Sequence, residues 1–259
     1  MKKIILSAVL STLSLITICE LTTQKVYAAK IIVGHDVNTF GSRVANSEEE
    51  NFAVNVANFL TTDSPDQNIL LYESNPGDGS RNFSIGVIEA LSDEGFSITL
   101  TSDYQTPFSG FDAIFVAQDF PTVDFLDNTD LIDFVDSGGG VYLAGGVGGD
   151  GPSAEAAGWN TFLGNYGLAF APNYNSINNV VITNTHPIFA GVNSLRSGNG
   201  QSIINLGTHP NSEIVQFSGS QGVYAVVDTP SESIPEPSSI VSLLTLVTIS
   251  LNAKLNHKY

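Results

Sequence analysis

Two short runs, Ala113-Ile-Phe-Val-Ala117 and Val141-Tyr-Leu-Ala144, contain no charged residue. A strand with one wet face alternates apolar and polar residues, and these do not. Each therefore reads as a strand buried on both faces, the arrangement of a parallel sheet covered by helices. Lys30 to Val33 is a short apolar opening, Ile69 to Tyr72 a further buried strand and Phe96 to Leu100 another strand. Helical spacing lies between them. Phe52, Val56, Phe59 and Leu60 fall at i, i+4, i+7 and i+8, behind a Ser47/Glu50 capping box. Phe83, Val87, Ile88 and Leu91 mark a second helix, stopped by Gly95. Leu131, Ile132, Phe134 and Val135 mark a third, ended by Gly138-Gly139-Gly140. Ala154 to Tyr166 forms a fourth, with Gly167 just past its end. After about residue 168 the helical signal ends. Val180 to Thr183, Ser202 to Leu206, Glu213 to Phe217 and Gly222 to Val227 read as strands between Gly, Asn and Pro turns. The expected fold is an α/β three-layer sandwich with a mostly parallel sheet and β-rich decoration at its C-terminal end.

Composition removes several functions. The chain of 259 residues carries 26 acidic against 9 basic residues, a net charge of −17. Nucleic acid is not an expected partner, because phosphate affinity comes from clustered Lys and Arg. With 42% hydrophobic residues the chain is not a disordered tail. Its single Cys excludes a disulfide scaffold and a Cys-rich metal site.

The ends read as addresses. Lys2 and Lys3 precede an apolar stretch, Ile4 to Ile18, and Val26-Tyr27-Ala28 supplies small residues at −3 and −1. This is the pattern of a secretory signal peptide over residues 1–28, cut by signal peptidase between Ala28 and Ala29. An uncleaved anchor is the alternative, but a span needs about 20 apolar residues. A lipoprotein signal fits poorly, since Ile18 precedes Cys19 where a small residue is wanted. Cutting at Ala28 removes the only Cys. At the other end, residues 229–239 form a linker holding Pro235-Glu236-Pro237. Residues 240–259 follow as an apolar segment with Lys254 and Lys258 in a basic tail. The two prolines keep the triplet extended. The apolar stretch Ile240 to Leu251 is 12 residues long, about 18 Å as a helix against a bilayer core of roughly 30 Å. A cut near Pro237 would leave Lys30, Arg43, Arg81 and Arg196 against 25 acidic residues, a net charge of −21.

A Pro-Glu-Pro triplet, an apolar segment and a basic end resemble the PEP-CTERM sorting signal of exported bacterial proteins. The resemblance implies processing by an exosortase-type membrane protease, after transient inner-membrane anchoring, and delivery to the cell surface or exterior. The apolar segment is short for that family, and Lys stands where Arg is usual. Residues 29–228 carry a second resemblance, over roughly 68 to 228. "FDAIFVA" at 111–117, "FVDSGGGVYLAGG" at 134–146 and "HPIFAGV" at 186–192 resemble the class I glutamine amidotransferase-like, flavodoxin-like domain. In that family the turn after the glycine-flanked strand carries a catalytic Cys. Here it reads Gly145-Gly146-Val147-Gly148-Gly149-Asp150. Amide hydrolysis needs an activated nucleophile, and none stands there.

The remaining candidates are single residues and runs of acids. His35-Asp36 follows the first strand, where ligands often bind, but Asp there also suits a turn. His186 and His209 each precede Pro, which suits entry into a strand. Glu213 lies near His209 as a displaced acid. Glu48, Glu49 and Glu50 read as a solvated first helical turn. Asp124, Asp127, Asp130, Asp133 and Asp136 read as a water-facing side, with weak Ca²⁺ binding as the alternative. No other cofactor and no metal site is expected. The expectation is an exported, non-catalytic surface or matrix protein, with extracellular polysaccharide as a candidate partner. The alternative is a secreted hydrolase using His35, His186 or His209 with a carboxylate.

Overall fold

A computed structural model describes residues 28–41, 46–62, 66–73, 83–103, 107–117, 128–146 and 151–230. Residues 1–27, which hold most of the expected leader, the Pro235-Glu236-Pro237 motif, Lys254 and Lys258 lie outside the described residues. Among the described residues no helix is long and apolar enough to cross a membrane.

Five strands run parallel: β1 (Lys30–Gly34), β2 (Asn68–Glu73), β3 (Ser97–Thr101), β4 (Ala113–Ala117) and β5 (Gly140–Ala144). Their order across the sheet is β3-β2-β4-β5-β1. All residues of β4 and β5 are buried, as their unbroken apolar runs require. The helices are α1 (Ser47–Leu60), α2 (Ile85–Asp93), α3 (Asn128–Asp136) and α4 (Pro152–Asn165). Alternation along the strands sorts the core into two clusters. Ile32, Ile69, Leu71, Phe115 and Tyr142 pack with Phe52 and Val56 of α1 and Val87 and Leu91 of α2. Ile31, Val33, Leu70, Ile114, Val116, Val141 and Leu143 pack with Leu131 and Val135 of α3 and Trp159, Phe162 and Leu163 of α4. The class is therefore α/β, with a helix pair on each face of the sheet.

The capping box of α1 is displaced by one residue from the sequence reading. Asn46, not Ser47, is the cap. Its side chain accepts from the Glu48 amide at 2.9 Å, and Glu49, not Glu50, reaches back to the Asn46 amide at 3.1 Å. An Asn cap presents the same acceptor as Ser. Glu48 and Glu49 are also not a merely solvated turn. The Glu48 carboxylate accepts from the amides of Asn193 and Ser194, and Glu49 from that of Arg196 at 3.1 Å. The Asn193 side-chain amide, donating to Glu48 at 3.1 Å, together with the Ser194 and Asn193 backbone amides, holds the Glu48 carboxyl below its usual range. Asp130, Asp133 and Asp136 do face water, as expected.

The C-terminal strands correct the expectation of decoration. They are β6 (Leu168–Tyr174), β7 (Asn179–Val181), β8 (Ser194–Arg196), β9 (Gln201–Asn205), β10 (Ser212–Ser218) and β11 (Gln221–Asp228). Four of them extend the main sheet. β11 pairs antiparallel with β1 from Lys30–Asp228 to Gly34–Tyr224. β10 pairs with β11, β9 meets β11 at the Ile203–Gly222 bridge, and β6 pairs with β9. β7 and β8 form a separate two-stranded ribbon. Its buried Val180 and Leu195 join the α1 side of the core. β6 escaped notice because Pro172 and Asn173 interrupt its apolar start, and β8 because it holds one apolar residue. His186-Pro187 opens a 3-10 turn over Pro187–Phe189 rather than a strand.

Candidate functional site

The carboxyl end of β1 carries the densest buried polar cluster among the described residues. Past Gly34 the strand loses its β5 and β11 ladders. The His35 amide still donates to the Val223 carbonyl at 3.0 Å, and the His35 carbonyl accepts from the Gln201 amide at 2.8 Å. The loop before β9 thus closes onto the strand end.

Asp36 is fully buried. Its Oδ1 accepts from the Asn38 amide at 2.7 Å and from Asn38 Nδ2 at 2.9 Å. Its Oδ2 accepts from the amides of Gly198 at 2.5 Å and Asn199 at 2.7 Å. All its visible partners are donors within the protein, and none is His35. The carboxylate staples the 198–199 loop to the end of β1. The turn reading of Asp36 is the one the geometry supports.

His35 is also fully buried. Its Nδ1 lies 3.1 Å from Asn175 Nδ2. Asn175 Oδ1 accepts the Ile177 amide at 3.1 Å, which orients the Asn175 amide group so that its NH₂ faces the imidazole. Nδ1 is then the acceptor and the proton sits on Nε2, which has no hydrogen-bond partner. Burial pushes the imidazole down to about 4, against the opposing pull of Asp36. The sign follows directly. Between pH 6.5 and about 4 the unfolded chain binds a proton that the folded chain refuses. Stability is therefore fully present above pH 6.5 and declines as pH falls through that window, by up to about 3 kcal/mol. Denaturant titrations at pH 7 and pH 4.5 should show the loss, and His35→Gln should remove most of it. His186, whose imidazole burial also lowers, contributes a smaller slope of the same sign.

Beside this cluster, Tyr142 of β5 sends its ring under β1. A Cβ added at Gly34 would lie 2.7 Å from the Tyr142 hydroxyl, so glycine is what makes room for it. The hydroxyl is buried with no hydrogen-bond partner, and burial raises its pKa far above the usual range. The neighbouring Tyr224 hydroxyl shares a 3.2 Å bond with Thr39 Oγ1. Removing an unpaired buried hydroxyl relieves a desolvation cost of about 1–3 kcal/mol. Tyr142→Phe should accordingly leave stability unchanged or raise it. A thermal shift downward by several degrees would contradict this.

The turn after β5 completes the site. The Gly146 amide donates to Glu155 Oε1 at 2.8 Å, and Glu155 is 1% exposed on the first turn of α4. A Cβ at Gly145 would stand 2.8 Å from the Phe170 ring. Gln201 joins this side, donating from Nε2 to the carbonyls of Pro152 at 2.7 Å and Ala171 at 2.8 Å. Residues 147–150 lie outside the described residues. Tyr142, Glu155, Asn175 and Gln201 were not singled out in the sequence. Only Glu155 left a trace there, as an acid in a first helical turn.

The other candidates are elsewhere. His186 caps its 3-10 turn, accepting from the Ile188 amide at 3.4 Å, with its ring 5.6 Å from Phe59. Burial lowers its pKa while Glu213 and Asp228 oppose the shift. His209 sits on the turn into β10, its ring 6.3 Å from Tyr166. Glu213 is exposed on β10. Asp228 pairs with Lys30 at the start of β1, so His186 belongs to the amino end of that strand and His35 to its carboxyl end. The three described histidines are not assembled into one site. Among the described residues no group of three or more His, Cys, Asp or Glu is placed to hold a metal ion. No protein-family model, curated protein or solved structure matches the chain.

Proposed function

We propose that this is an exported, non-catalytic cell-surface or extracellular-matrix protein, sorted through a PEP-CTERM signal, whose α/β domain is a binding or structural module. The observation that carries the non-catalytic reading is the turn after β5. In the amidotransferase-like family that turn presents the nucleophile. Here Phe170 fills the space a side chain at Gly145 would need, and Glu155 already occupies the Gly146 N–H. A nucleophile at Gly145 would have no room, and the Gly146 amide is not free to stabilise an oxyanion. The hydrolase alternative draws no support from the geometry, because none of the three described imidazoles is hydrogen-bonded to a carboxylate: His35 bonds Asn175, His186 a backbone amide, and His209 Nδ1 has no partner.

The strand order supports the flavodoxin-like resemblance in a permuted form. β3-β2-β4-β5 reproduces positions 2-1-3-4 of the flavodoxin arrangement. The fifth position is taken by β1, from the opposite end of the chain.

The test is intact-mass measurement on tagged protein expressed in a Gram-negative host carrying an exosortase-type protease. The expected product is extracytoplasmic, begins at Ala29 and ends near Pro237. A full-length cytoplasmic product would overturn the reading.

A further inference from the structure

The Ala28–Ala29 bond, read above as the leader cleavage site, meets the folded domain at a particular place. The Ala29 amide donates to Thr229 Oγ1 at 2.7 Å. The Ala29 carbonyl accepts from the Thr229 amide at 3.0 Å and from the Thr229 hydroxyl at 3.0 Å. The Ala29 side chain packs on the α4 side of the core. The next residue, Lys30, lies in the sheet between Asp228 and Gly140. So the amine side of the bond is zipped into the sheet from its first atom. Its partner, Thr229, follows directly on β11, the last element of the domain.

We propose that docking of β11 closes the Ala28–Ala29 bond to signal peptidase, so that leader removal must precede completion of the fold. Proteases bind extended segments and need the residues flanking the scissile bond free of other pairing. Hydrolysis adds water across the Ala28–Ala29 C–N bond, leaving a carboxylate on Ala28 and an ammonium on Ala29. In the folded chain the Ala29 nitrogen and carbonyl are both engaged, and freeing them means opening the Ala29–Thr229 clasp at the end of the β1–β11 seam. While the chain is still emerging from a translocation channel, residues 221–229 are the last to arrive. β1 then has β5 as a partner but no β11, and Ala29 has no Thr229. Cutting first leaves the new Ala29 nitrogen able to donate to the same Thr229 Oγ1. The order is thus built into the topology: the first strand waits for the last.

This inference rests on the export reading, and the experiment separates the two. Full-length precursor is refolded in detergent micelles, its fold checked by circular dichroism, and incubated with purified signal peptidase. The comparison is the full-length Ala225→Pro precursor, in which a central β11 residue can no longer complete the ladder. Thr229→Val serves as a milder variant that keeps the fold and removes only the side-chain part of the clasp. Wild-type precursor is expected to be cut at Ala28–Ala29 about 10-fold more slowly than Ala225→Pro, since cutting requires the Ala29–Thr229 clasp and the first β1–β11 rungs to open. Thr229→Val is expected to fall between them. Equal rates for folded wild type and Ala225→Pro would overturn the inference while leaving the leader reading intact. Failure to cut either chain after Ala28 would overturn both.

Discussion

Gly200→Ala is expected to cost the domain about 3 kcal/mol or more, seen as a drop of roughly 6–12 °C in Tm with an unchanged denaturant m-value. The reason is contact with backbone, not with a movable side chain. A Cβ at residue 200 would lie 1.9 Å from the His35 carbonyl oxygen, 2.6 Å from its carbon and 2.6 Å from Nδ1. The same carbonyl accepts the Gln201 amide at 2.8 Å, so the loop cannot retreat without breaking the bond that closes it onto β1. Retreat would also carry Gly198 and Asn199 away from Asp36. Thermal and urea unfolding of the protein would check this. A Tm within about 2 °C of wild type would mean the loop has slack that the contacts do not show.

Asp36→Ala should be comparably severe, at about 3–5 kcal/mol. It leaves three backbone amides and one side-chain amide without their acceptor at a fully buried position. Asp36→Asn is the informative companion. It keeps the volume but turns one oxygen into a donor, which must then face other donors whichever way the amide is turned. It should lose most of what alanine loses. A near-wild-type Asn variant would show that packing, not acceptance, is what matters at this position.

Both positions show what a sequence discloses and what it withholds. The parallel strands were legible because each is a local pattern: Ala113 to Ala117 states its burial within five residues. Helix stops were legible for the same reason, since Gly95 and Gly167 have φ of 104° and 71° just past their helices. The cap of α1 was read one residue late, because Asn46 and Ser47 are both good caps and Glu49 and Glu50 both good partners. The site was much less legible. His35 and Asp36 stood out as residue types, but their partners lie far along the chain at Asn175, Gly198 and Asn199. No spacing rule reaches across such separations. Gly34 against Tyr142 is a cross-strand contact of the same kind. Four of the six C-terminal strands were placed as segments, yet their merging with the main sheet depends on the pairing of β1 with β11, which neither strand announces alone.

That pairing also decides how the domain bears load. Its two ends leave side by side from one pole, at Ala29 and Thr229, on adjacent antiparallel strands. Tension applied between those ends would not shear the five rungs from Lys30–Asp228 to Gly34–Tyr224 together. It would open them singly, like a zipper, starting at the Ala29–Thr229 clasp. A domain held by one end only carries no tension through this seam. On this geometry a chain gripped at both ends is mechanically the weaker form, and release of either handle is what makes it durable.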